Sequence, residues 1–156
     1  MSIEVPRSHW LVAAAEIVTV GLPFCAFKAL TGLALLATPT LRFVGFPLLA
    51  LAAVDLVFNV ANLGSLLVAR KRLGSVCLLE LLTRHFDKQE GHDDLGLALD
   101  LFLSFVLVAI VIGFGMLPKL PSGTLPLWNV AVILNVLGAG FGRLLPTLHG
   151  RRAQSQ

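Results

Sequence analysis

The run FVGFPLLALAAVDLVFNVANLGSLLVA, residues 43–69, decides how this chain is built. It holds a single charged residue, Asp55, and is stopped by the basic triplet Arg70, Lys71 and Arg72. A helix needs about 20 apolar residues to cross the hydrocarbon core of a bilayer, and this run supplies more. Three further runs have the same character: residues 10–37, 95–117 and 124–145. The first ends at the turn-forming TPT of residues 38–40, the third at PKLPSG, residues 118–123, and the last at Pro146.

Composition agrees with those runs. The 156 residues are 56% hydrophobic and only 13% charged, against about 25% charged in an ordinary soluble domain. A soluble helical protein would have to expose these apolar faces to water, which folded surfaces do not tolerate. The expected fold is therefore all-α: a polytopic membrane protein with four transmembrane helices in an up-down bundle. The net charge of +3 does not point to nucleic acid, because the positive residues sit beside apolar runs, where they serve orientation and headgroup contact. No cleavable leader is expected, since Glu16 interrupts the first run and no small-x-small site follows it. Cys25 and Cys77 are expected in different layers, unpaired.

Orientation follows from lysine and arginine. Arg7, Arg70, Lys71, Arg72, Arg84, Lys88, Arg143, Arg151 and Arg152 fall on one side, nine of the twelve, leaving Lys28, Arg42 and Lys119 on the other. The positive-inside rule then makes both termini and the 70–94 loop cytoplasmic. Lys28 is expected near the outer leaflet, snorkelling to headgroups. Trp10 and Trp128 open their runs as interfacial anchors. Pro23 is expected to kink the first run. Within the loop, residues 73–86 place Glu80, Thr83, Arg84 and Asp87 on a narrow arc with leucines over the remainder. That pattern predicts an amphipathic helix on the cytoplasmic leaflet; a helix docking on a partner would show the same pattern.

Polar residues inside the runs are the candidate site. Asp55, Asn59 and Asn62 are four and three residues apart, so on a helix they form one stripe. Glu16, Asp100, Ser104 and Arg143 are expected to meet in the cytoplasmic half of the bundle, in the layer of Asn62. An ionised side chain at the bilayer centre costs about 3 to more than 10 kcal/mol, so each of these must face protein or water, be paired, or be neutral. Gly138 and Gly142 have the small-xxx-small spacing of a close helix contact. No catalytic residue, metal ligand set or cofactor motif is read. His85 and His92, with Asp87, Glu90, Asp93 and Asp94 near them, fit no ligand spacing and are expected in a solvated loop.

The function expected from these features is that of a non-catalytic integral membrane subunit. Its partners would be the lipid bilayer and either copies of itself or a larger membrane complex, met through polar and glycine-bearing helix faces. The alternative is a small oligomeric ion or proton conductor lined by Asp55, Asn59 and Asn62. An intramembrane enzyme using Asp100 or Glu16 with a loop histidine ranks last.

Overall fold

The computed structural model describes residues 3–4, 10–72, 78 and 93–138, with side chains at all of these except 3, 4, 12, 72, 93–98, 100 and 101. Apart from a two-residue antiparallel bridge and short turns, the described residues are helical. Helix α1 is Trp10–Glu16, and a π-wound turn, Ile17–Gly21, leads directly into α2, Leu22–Leu36. A 3-10 turn at Pro39–Leu41 reverses the chain into α3, Arg42–Ala69. Helix α4 is Asp93–Gly113, a second 3-10 turn covers Leu117–Lys119, and α5 is Leu125–Gly138.

Two of these helices are long and apolar enough to cross a membrane. They are Ala13–Leu36, of 24 residues, and Pro39–Ala69, of 31. They coincide with the expected runs 10–37 and 43–69. The expected run 95–117 ends earlier as helix, because the chain turns at Phe114 and at Gly115, whose φ of +60° is left-handed. The expected run 124–145 is helical from Leu125 to Gly138, and its remainder lies outside the described residues.

The π-wound turn has a local cause. Pro23 has no N–H and its ring crowds the carbonyl four residues back, so an unbroken α ladder cannot run through this point. The chain instead widens by one residue just before the proline, with the Leu22 N–H bonded to Ile17 O. This is how the structure meets the disturbance expected at Pro23.

Helices α2 and α3 form an antiparallel hairpin. At the turn end, Gly32 and Gly45 let the two backbones close up: a Cβ on Gly45 would lie 3.0 Å from Gly32 O and 3.0 Å from Leu36 Cδ2. The Arg42 Nε donates to Leu36 O at 3.1 Å and so satisfies a carbonyl left open at the end of α2. At the other end, Arg70 caps α3 in the left-handed region with φ 53°, and its guanidinium lies 5.8 Å from the Trp10 ring centre. Ile3 and Glu4 pair with Arg72 and Lys71 there. Gly45→Leu is expected to force this crossing apart and cost about 1–3 kcal/mol, more if the turn cannot adjust. Unfolding in mild detergent measures it, and a variant as stable as the parent would contradict the close crossing.

The core joins this hairpin to the other helices. Phe27, Leu30 and Leu35 of α2 and Leu48 of α3 pack in one cluster with Leu107 and Val111 of α4, Met116 and Leu120 after it, and Trp128 and Ala131 of α5. Trp128 is thus not the interfacial anchor expected. It is 3% exposed, tilted against Phe27 at 6.0 Å between ring centres, and its indole N–H donates to Thr31 Oγ1 at 2.9 Å. An indole whose N–H has a buried partner can leave the boundary between water and lipid.

Candidate functional site

The buried face of α3 consists of Gly45, Leu48, Ala52, Asp55, Asn59, Asn62 and Leu66. The steps between them alternate three and four, the repeat that keeps one seam facing a neighbouring helix. The polar stripe is the middle of that seam, with Asp55 at 1% exposure and both asparagines at 2%. On α2 the same alternation runs through Cys25, Lys28, Gly32 and Leu35, all buried. The two seams face each other, and Lys28 meets Asp55.

Lys28 Nζ lies 2.7 Å from Asp55 Oδ2, and the two side chains are 0% and 1% exposed. The ammonium also sits 3.8 Å from the centre of the Phe24 ring, a cation–π contact. Lys28 therefore does not snorkel to headgroups as expected. Its place on the α2 seam turns the side chain inward, and Asp55 stands near the midpoint of the 28-residue α3. Taking two charges out of water costs several kcal/mol per ion, so a buried ammonium and a buried carboxylate persist by neutralising each other. The other carboxylate oxygen is also engaged: the backbone N–H of Leu78 donates to Asp55 Oδ1 at 2.8 Å.

The asparagines complete the stripe. Asn59 Nδ2 donates to Asp55 O at 2.8 Å and lies 3.6 Å from Cys25 Sγ. Asn62 Nδ2 donates to Phe58 O at 3.0 Å. Both amides thus bond a carbonyl of their own helix four residues back. Across from Asn59 stands Gly21 of the π-wound turn, where any Cβ would collide with Asn59 Oδ1. The wide turn and its glycine make room for that carboxamide. Sequence reading found all three stripe residues and missed Lys28, Cys25 and Gly21. For Lys28 and Cys25, the alternating spacing on α2 was the available sign.

Of the second expected cluster, Glu16 and Ser104 have described side chains. Glu16 is exposed on α1, whereas Ser104 is 4% exposed on α4. Ser104 lines a cavity of about 10 Å³ with Phe27, Val108, Val132 and Asn135, room for about one water. The side chain of Asp100, and all of Arg143, lie outside the described residues. So does Gly142. Gly138 makes a close contact within the chain: a Cβ there would stand 2.6 Å from Val20 Cγ2. The expected leaflet helix, residues 73–86, also lies outside the described residues except for Leu78, which is at Asp55.

Among the described residues, no three His, Cys, Asp or Glu side chains gather as metal ligands. What the site can do chemically is hold charge: one cation, one carboxylate and two amides, closed in by Phe24 and Cys25. Comparison with protein-family models, curated proteins and solved structures finds no match for this chain.

Proposed function

We propose that this chain is an integral membrane protein with four spans, cytoplasmic termini and a non-catalytic role as a subunit of a membrane assembly. The observation that carries the reading is its inside-out distribution of polarity. Lys28 of α2 and Asp55, Asn59 and Asn62 of α3 are buried, with Lys28 paired to Asp55. Large apolar side chains stand exposed along the same helices and the later ones, among them Phe43, Phe46, Val57, Leu67, Phe102 and Phe114. In water that arrangement exposes far more apolar surface than a monomer sustains; in lipid it costs nothing.

The stripe acts in this reading as an interhelical lock rather than a path. Both Asp55 oxygens are engaged, and Asn59 and Asn62 donate to carbonyls of their own helix, with Asn59 also reaching Cys25 Sγ on α2. With the polar seam closed inside the chain, contacts with copies or partners fall to the apolar faces. The reading is tested by mass measurement and identification of co-purifying proteins in native nanodiscs, with proton flux measured in reconstituted vesicles. A defined assembly without flux is expected. Flux in wild-type protein that Asp55→Asn abolishes, with assembly intact, would replace the lock by a conductor.

The orientation has its own test. Lys71→Cys is expected to react with an impermeant thiol reagent only after the membrane is opened, and Thr40→Cys from outside intact cells. Labelling of Lys71→Cys from outside overturns the orientation.

A further inference from the structure

We propose that the cavity between α4 and α5 is a binding site for one water molecule, held by Ser104 and Asn135 and joining the two helices through it. Asn135 carries the argument. It is 7% exposed and makes no side-chain hydrogen bond among the described residues. The other two buried asparagines behave differently, since Asn59 and Asn62 each donate to a carbonyl four residues back in their own helix. On α5 the corresponding carbonyl belongs to Ala131, and Asn135 does not take it. Its side chain lines the cavity instead, together with Ser104, which is 4% exposed on α4.

Size and chemistry both select water. The cavity holds about 10 Å³, room for a single water and for no larger molecule. Phe27 of α2, wholly buried, closes one side, and Val108 and Val132 contribute apolar wall. Phe105 and Val136, also in the lining, are exposed and mark the side that faces lipid. Cavities that stay dry are lined by apolar groups alone, whereas a bound water needs at least two polar partners. Here a hydroxyl and a carboxamide supply them from two different helices. The carboxamide offers two donors and an acceptor oxygen, and the hydroxyl one donor and two lone pairs. A water can therefore accept from Asn135 Nδ2 and donate to Ser104 Oγ, which still accepts when its own proton is used elsewhere. An unmet amide is costly where no outside solvent reaches it, and a bridging water is nearly as good a partner as a direct one.

The site does not depend on the subunit role proposed above, but it rests on the membrane reading for the lack of outside solvent at Asn135. The test is NMR on the full chain in nanodiscs, following through-space transfer to the Asn135 Nδ2 protons from water and from lipid chains. A water cross-peak is expected, several-fold stronger than any at Asn62 Nδ2, which is bonded to Phe58 O. Ser104→Ala removes one of the two partners and is expected to take away most of that peak, while the Leu107 and Ala131 amide resonances stay in place and report intact packing. A lipid cross-peak in place of the water one overturns the proposal, because the crevice is then filled from the bilayer. The absence of both overturns it too, since the amide would have found a partner within the protein. A water peak equally strong at Asn62 overturns it as well, for the whole interior would be wet. An unchanged peak in folded Ser104→Ala removes the serine and with it the bridge. The wild-type spectrum decides the water by itself, even where the variant loses its fold. Failure of the membrane reading shows elsewhere, in the Lys71 and Thr40 labelling.

Discussion

Lys28→Met is expected to cost about 3–5 kcal/mol, because it leaves the Asp55 carboxylate buried without its cation. The side chains are close in length, so packing changes little and the loss is electrostatic. Asp55 stays 1% exposed and cannot reach water to recover its hydration. The partner experiment decides whether the pair stabilises the fold or merely avoids a penalty. Lys28→Met together with Asp55→Leu removes both charges, and buried pairs replaced by apolar residues are often neutral or better. The double variant is expected to recover most of the stability and to miss only the Leu78 contact. Unfolding of the four proteins in one detergent completes the cycle. A Lys28→Met protein within about 1 kcal/mol of wild type would mean that the ammonium is not buried as described, since an exposed pair is worth that little.

The same pair marks where the sequence could and could not be read. That residues 13–36 and 39–69 form helices long and apolar enough to span a membrane was plain, because length and apolar content are properties of a single segment. So was the burial of Asp55, Asn59 and Asn62, because residues on one helix face share a fate and a carboxylate in lipid must find cover. Lys28 was misread because its partner lies 27 residues away on another helix. Taken alone, a lysine near the end of an apolar run is indistinguishable from one that snorkels. The information was present in the spacing of Cys25, Lys28, Gly32 and Leu35, which matches the alternation on α3, but only a comparison of the two seams exposes it. Gly21 was hidden for a different reason. Its role depends on the extra residue in the π-wound turn, which shifts the register of everything before Pro23.

Trp128 carries the remaining large effect. It lies at the start of α5, and from its position in the run alone it resembles an anchor at the headgroups. An exposed anchor replaced by alanine would lose little folding stability. Trp128 instead fills the space between α5 and α2, with Phe27 beside its ring and Thr31 accepting its N–H. Trp128→Ala is therefore expected to cost about 3–5 kcal/mol, the range for emptying a buried aromatic site. Two milder variants divide that loss. Trp128→Phe keeps most of the ring and gives up the hydrogen bond, and the Thr31 hydroxyl that remains can turn to a carbonyl of its own helix. It is expected to cost less than Thr31→Val, which strands the indole N–H in the interior at about 1–3 kcal/mol. The predicted order, Trp128→Ala worst, then Thr31→Val, then Trp128→Phe, follows from which buried atom is left without a partner. Chemical unfolding in detergent, with the fluorescence of Trp10 as the reporter common to all variants, tests it. Trp128→Ala at wild-type stability would return Trp128 to the membrane surface and detach α5 from α2. Thr31→Val as mild as Trp128→Phe would mean that the indole finds another acceptor, and the bond across the two helices would lose its part in holding them together.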